Sequence, residues 1–555
     1  MAVQAADAVY HNGRVVTMWS KRPLAEAFAV RGNCFLRVGS NEEVLGTARR
    51  NTKKINLDGC CVVPGLIDSH AHPIMAALAE QDGFGPVHSI ADIQQQIRQK
   101  AASAPAGRVI CVPRVYATRL AEHRYPTRAE LDTAGVDAPC MTDNGYAAVL
   151  SSALLARLGI TRETPEPSNG KIIRDAAGDL AGLILGARHL VAPALNSAPH
   201  GFESAVEGLK KAQHCYNRAG LTSVIDRMAG AEEFRAYQAL ERRGELTVRS
   251  YLTWVVSLHG NPSGVRERIA AIPFTTGWGS DWVRVGSLKA FLDGGILIGT
   301  AYLREPYGEN TGVYGYRDPQ YRGILSVSPE NLLEMARAAN DLGWQMTAHA
   351  TGGGAVDALL DAYEAADRDK SIQGRRFTIS HANFPDVGAI ERAKKLGVAL
   401  DCQPAWHYFD APVIEGVLGP ERMQYFQPYR SLFDAGVVVA GGSDHMAGLD
   451  ARAAINPFDP FFGMWMAATR QTVTGAVMEP GQRISREEAL RMWTLNAAYL
   501  SFEENIKGSI EPGKLADFVI TSKDYLSCPV EEIQQIKSVC TVVNGKVVYG
   551  DPALA

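Results

Sequence analysis

The stretch WVRVGSLKAFLDGG, residues 282–295, runs from β-formers into a pair of glycines, and one lysine, Lys289, stands where its strand should end. A lysine is costly to bury unless it is paired or chemically changed, so its surroundings decide its role. Runs of the same kind recur: LTSVID (221–226), TVRSYLTWVV (247–256), WQMTAHA (344–350), RFTISHA (376–382), GVALDC (397–402) and GVVVAGGSD (436–444). With WVRVGSLKAF (282–291) and CVVPGLIDSH (61–70) they make eight. Helical patterns lie between most of them, among them PENLLEMARAANDLG (329–343) and AVDALLDAYEAAD (355–367). Eight strands alternating with helices predict an α/β fold, a (β/α)8 TIM barrel, in preference to an open doubly wound sheet.

The two ends read alike. AVYHNGRVVTM, AFAVRGNCFLRVG and KKINLDGCCVVPG near the start are short β-like runs broken by Gly and Asn, as are ADFVITSKDYL and VCTVVNGKVVYG near the end. The last carries an Asn544-Gly545 hairpin signal. They predict a composite β-sandwich domain built from residues 1–62 and 500–555. The barrel is expected over 63–75 and 203–499. Residues 76–202 interrupt the alternation after the first barrel strand and are expected to form an inserted α/β subdomain, a candidate lid for the barrel mouth.

A chain of 555 residues is too long for one ordinary core. A net charge of -4 implies no general attraction to nucleic acid or to an anionic membrane. No run of eighteen apolar residues suggests a transmembrane span, and MAVQAADAVYHNGRVV lacks the pattern of a secretory signal. Nine cysteines without a CxxC pair argue against a disulfide framework and fit a reducing cytoplasm. The expected partner is a small-molecule substrate, and a homo-oligomer is left open.

Chemistry-bearing side chains fall at the C-terminal ends of the predicted strands, the face where barrel active sites assemble. His70 and His72 end the first, Lys289 the fourth, His349 the fifth, His381 the sixth and Asp444 the eighth. In an extended HxH the two imidazoles point the same way, so both can reach one divalent ion at roughly 2 Å. Two further histidines and a carboxylate complete a mixed nitrogen and oxygen set that suits Zn2+, with Mn2+ or Fe2+ as alternatives. A lone histidine is more often structural than a ligand, and Asp444 alone reads equally as a cap or turn residue. Six such residues at strand ends together favour a metal site. Trp254, Tyr302, Trp406, Tyr408, Phe458, Phe461 and Phe462 fall at or after strand ends and suggest an apolar or aromatic pocket. His407 and His445 near the mouth are candidate substrate contacts.

These motifs resemble the amidohydrolase superfamily, and within it amidohydrolase family 3, which includes N-substituted formamide deformylases. PGLIDSHAHP, GLTSVID, LKAFLDGG with TAYLREPY, LGWQMTAHATGGGAVDALLDAYE, ISHAN, GGSD and GSIEPGKLADFVI follow in family order over nearly the whole chain. The resemblance implies one or two divalent ions, His70 and His72 on the buried one, His349 and His381 on the more exposed one. It implies N6-carboxylated Lys289 as a bridge and Asp444 as ligand and general base. A bound ion lowers the pKa of its water to about 7, and Asp444 would take the proton and return it to the leaving nitrogen. A lysine is carboxylated only from its neutral amine, which burial favours. The rival for Lys289 is a protonated amine paired with Asp293.

The chain departs from the family around these ligands. HATGGGA (349–355) stands for the usual HAIGDRA, Ser380 for a usual Glu, and Gly145-Tyr146 for a usual Gly-His, which makes Tyr146 a further candidate substrate contact. His445-Met446 and a longer loop follow GSD. The expected activity is metal-dependent hydrolysis of a C–N, amide-type bond in a hydrophobic or aromatic small molecule. Decarboxylation, deamination or ester hydrolysis at the same site, and a non-catalytic binding or scaffold protein, are the alternatives.

Overall fold

At Gly65 the chain passes from one sheet into another. The computed structural model describes residues 5–105, 107–135, 139–195 and 201–554. Within it the run 61–70, expected as one barrel strand, divides. Cys61–Pro64 pairs parallel with Arg14–Val16 and antiparallel with Phe518–Thr521. Leu66–Ala71 is the first barrel strand. Gly65 donates its backbone N–H to Asp517 O at 2.9 Å, and a Cβ there would lie 2.3 Å from Thr222 Oγ1. Only glycine fits between the two layers.

The barrel strands are Leu66–Ala71, Leu221–Ala229, Arg249–Val255, Val283–Phe291, Met346–Ala350, Thr378–His381, Ala399–Cys402 and Val439–Gly441, in that spatial order and all parallel. Closure between the eighth and the first is made just beyond their ends. Ala71 bridges His445 in parallel. Asp444 N donates to His70 O at 2.7 Å, and His72 N to His445 O at 2.9 Å. Helices such as Phe202–Arg218, Pro329–Asp341 and Gly353–Asp369 cover the outside. Ser328 caps the second of these, its hydroxyl accepting from Asn331 N, with Pro329 in the first turn. The barrel is a (β/α)8 fold with its apolar packing between strands and helices, from Leu66 and Val224 to Leu288, Met346 and Leu400.

Both termini build the sandwich. One sheet has four strands, Cys34–Gly39, Ala27–Arg31, Ala8–His11 and Lys53–Asn56. The other has six and includes Ser538–Val543 and Lys546–Gly550, joined through Asn544-Gly545. Asn544 and Gly545 have φ of 58° and 72°, as a primed two-residue turn requires. Tyr10 stacks on Phe28, and Phe35 and Phe518 pack edge-on against them between the sheets.

After the first barrel strand the chain forms a separate five-stranded sheet. Its order is Gly170–Arg174, Leu180–Gly186, Ala147–Leu150, Cys140–Asp143 and Ile110–Pro113. It shares a core with Ile296, Leu297, Tyr307 and Tyr314, which follow the fourth barrel strand, and with Trp406. The nine cysteines are free. Among the described residues no helix is long and apolar enough to cross a membrane.

Candidate active site

Closing the barrel creates the site. Asp68 on the first strand accepts from Ser443 Oγ at 2.5 Å, from Ser443 N at 3.0 Å and from His70 N at 3.0 Å. This ties the segment after the eighth strand to the first strand beside both histidines. Burial pushes the Asp68 carboxyl up to about 7, against its hydrogen bonds. Asp444 follows with φ 56°. Its carboxylate lies 3.1 Å from His72 Nε2 and 3.6 Å from His70 Nε2. One ligand atom each from His70, His72 and Asp444 falls within 4.8 Å of the others.

Three histidines are held by their Nδ1 atoms. His70 Nδ1 donates to Asp401 Oδ1 at 2.6 Å, His349 Nδ1 to Asp293 Oδ1 at 3.1 Å and His381 Nδ1 to Gln403 Oε1 at 2.8 Å. The acceptors are oxygens, so each ring carries its proton on Nδ1 and leaves Nε2 as a lone-pair donor. Nε2 of His349 has the Thr351 hydroxyl at 3.5 Å, and Nε2 of His70 has Lys289 Nζ at 3.4 Å. Burial holds His70 and His381 well below the usual imidazole range; neutral imidazole is the form that binds metal. The His381 ring is 4.7 Å from that of His70 and 4.5 Å from that of His349, centroid to centroid. The donor set therefore fits a divalent metal.

Lys289 is 1% exposed. Burial lowers its amine to about 8, opposed by Asp444 and Asp401. The expected rival partner Asp293 is engaged elsewhere: besides His349, it accepts from Thr351 N, Gly352 N and Tyr302 N at 2.8–3.0 Å. Gly352 stands against Tyr302, where a Cβ would meet the Tyr302 carbonyl oxygen at 2.1 Å. The glycines in 352–354 thus let the loop after the fourth strand close over Asp293.

His70, His72, Lys289, His349, His381 and Asp444 line one cavity of about 390 Å3. Tyr146 and Trp406 line it too, Trp406 stacked on His381 with centroids 4.8 Å apart. Met75, Tyr116, Met228, Phe291, Leu297, Ile298 and Met446 supply its apolar wall, and Asn144 and Asn456 its amides.

The other expected substrate contacts lie elsewhere. Trp254 packs with Phe234 and Phe274, because alternation on the third strand turns it toward the outer helices. His407, one residue past Trp406 on a helix, faces Phe426. His445 hydrogen-bonds Tyr216 OH at 2.8 Å and Gly448 O at 2.5 Å, and packs on Phe458. Of the remaining aromatics, Tyr302 lies under the Arg322 guanidinium, and Tyr408 packs with Phe462 and Trp465. Phe461 sits near Tyr525.

Residues that the sequence reading did not single out complete the surroundings: Asp68, Asp401, Gln403, Asp226 and Arg227. Arg227 donates to Ser69 O and pairs with Asp401 Oδ2 at 3.0 Å in the barrel interior. A charged residue inside a β-run, as in ALDC, was the available signal.

Residues 53–549 match the family model described as the amidohydrolase family. N-substituted formamide deformylase of Arthrobacter pascens is 29% identical, over 98% of this chain and 99% of its own. Putative amidohydrolase YtcJ of Bacillus subtilis (strain 168) is 27% identical, over 98% and 99%. Among solved structures, an uncharacterized metal-dependent hydrolase from Pyrococcus horikoshii OT3 superposes with a TM-score of 0.68 at 22% identity, over 94% of this chain and 99% of that one. The family model covers far more than half of the chain, including all eight barrel strands, and the chain belongs to the amidohydrolase family.

Proposed function

We propose that the protein is a metal-dependent hydrolase that cleaves the C–N bond of a neutral amide carried on a hydrophobic or aromatic group. One observation carries this reading: histidines held by Nδ1, Lys289 and Asp444 converge in a cavity whose remaining wall is largely apolar. No other charged side chain lines that cavity among the described residues. Similarity to the formamide deformylase supports N-substituted formamides as the first substrates to try.

His70, His72 and Asp444 would hold one divalent ion, and His349 and His381 a second. Mixed nitrogen and oxygen donors favour zinc, with manganese or iron as alternatives. When bound, the metal supplies Lewis acidity and acidifies a water toward neutral pH. Asp401, Asp293 and Gln403 keep the three rings in one tautomer. Asp444 takes the proton of the attacking water and returns it to the leaving nitrogen. Water adds across the amide bond and leaves an acid and an amine. The neutral amine of Lys289 forms an N–C bond to CO2 and releases one proton to solvent, and the resulting carbamate puts anionic oxygens beside the histidines where an ammonium would repel a cation. Met75, Met228, Phe291 and Leu297 bury the apolar group of the substrate and exclude bulk water. Residues 76–202 act as a lid, supplying Tyr116, Asn144 and Tyr146. Nine free cysteines suit a cytoplasmic location.

The test is metal analysis together with kcat/KM on N-substituted formamides, the matching esters and charged analogues. Neutral apolar formamides are expected to be preferred, and Asp444→Asn to lower kcat by about 10²–10⁴-fold. A preference for esters or for free carboxylic acids, or an unchanged kcat in Asp444→Asn, would overturn the assignment.

A further inference from the structure

Asp444 lies beyond the last barrel strand, on an irregular segment that regains helical structure only at Pro460. Its backbone is left-handed, φ 56°, in a residue other than glycine. One side chain holds its carbonyl: Asn456 Nδ2 donates to Asp444 O at 2.7 Å. The other end of that amide is also engaged. Asn456 Oδ1 accepts from Arg119 NH1 at 3.2 Å, and the same nitrogen donates to Ile455 O at 2.7 Å. An amide with a donor demanded on one side and an acceptor on the other has a single orientation.

Arg119 is itself fixed. Its Nε and NH2 meet the Asp410 carboxylate at 3.1 and 2.8 Å, and Thr118 Oγ1 donates to the same carboxylate at 2.8 Å. Asp410 is fully buried on the helix Pro404–Leu418, which also carries Trp406. Aromatic faces of Tyr116 and Phe409 lie 5.4 and 5.0 Å from the guanidinium. Arg119 belongs to the segment inserted after the first strand, so one planar fork joins that segment, a barrel helix and the loop of Asp444. Lysine has no such fork.

We propose that Arg119, acting through Asn456, is a positioning residue for Asp444, by which the inserted segment sets the metal centre. The proposal rests on the reading of Asp444 as a metal ligand. Its test is the zinc affinity of the full-length protein, measured by competition with a chromophoric chelator, beside kcat. Asn456→Leu and Arg119→Lys are each expected to weaken zinc binding by about 10–100-fold; Arg119→Lys keeps a charge opposite Asp410 should bulkier changes fail to fold. In an Asp444→Ala background both substitutions are expected to lose their effect on zinc, a non-additivity that a merely structural role would not produce. Wild-type affinity in both variants, or full additivity with Asp444→Ala, overturns the clamp while leaving the metal site intact. A wild-type protein that binds no divalent ion, whether zinc, manganese or iron, overturns the metal reading and the clamp with it.

Discussion

His70 Nδ1 lies 2.6 Å from Asp401 Oδ1, although the two residues are 331 positions apart in the chain. Both are fully buried, and the second oxygen of Asp401 meets Arg227 at 3.0 Å and Ser380 Oγ at 2.8 Å. One carboxylate thus orients an imidazole on the first strand and neutralises a guanidinium on the second. Asp401→Asn is expected to weaken divalent-metal affinity by about 10–100-fold. It is also expected to cost about 3–5 kcal/mol of stability, because Arg227 stays buried without its counter-charge. Chelator competition and denaturant unfolding on the same protein separate the two effects. Unchanged metal affinity would remove Asp401 from the site.

Lys289 should depend on carbon dioxide. Burial already draws its amine down to about 8, so a neutral fraction exists near neutral pH for the carbamate to form. Metal-stripped protein is expected to regain more activity when zinc is returned with bicarbonate than in bicarbonate-free buffer. Lys289→Ala should fold yet hold less metal and lose hydrolysis. Reconstitution indifferent to bicarbonate, with full metal content in Lys289→Ala, would exclude the modification.

Gly65 tests the junction between sandwich and barrel. A Cβ there would lie 2.3, 2.7 and 3.0 Å from the three side-chain atoms of Thr222. Threonine is short and branched, so relief requires the strands to part. Gly65→Ala is expected to destabilise by about 1–3 kcal/mol, read by equilibrium unfolding, and Gly65→Ala with Thr222→Ala to recover part of that loss.

His407 predicts an acid limit on stability. It is buried, Nε2 has no hydrogen-bond partner among the described residues, and burial with the nearby Arg470 holds its pKa well below 6.5. The unfolded chain binds the proton first, so the stability contributed by the neutral ring is present above about pH 6.5 and is lost as pH falls toward the folded pKa. The slope from this one group reaches about 1.4 kcal/mol per pH unit. Unfolding measured from pH 7.5 to 5 should fall less steeply in His407→Phe than in the wild type; parallel slopes would refute the assignment.

Strand ends were legible because β-runs, turn residues and the HxH spacing are local signals. His70, His72, Lys289, His349, His381 and Asp444 all sit where a barrel of those strands would gather them, and they line one cavity. The break at Gly65 was not legible, since CVVPGLIDSH is β-like throughout and only the approach of Thr222 shows why a glycine divides it. Nor was the fate of Trp254, His407 and His445. Position near a strand end does not say which way a side chain turns, and each of these turns toward outer packing.

By itself the sequence determined the alternation of strands and helices, the sandwich at the two ends and the order of the metal-competent residues. These depend on residue type and on spacing within a few positions. Tertiary structure alone decided that Asp401, Asp293 and Gln403 each take one imidazole, that Asp68 and Ser443 close the barrel, and that Arg119 reaches the loop of Asp444. Those are directional contacts between atoms a few ångströms apart on segments far apart in the chain, and no local pattern encodes them.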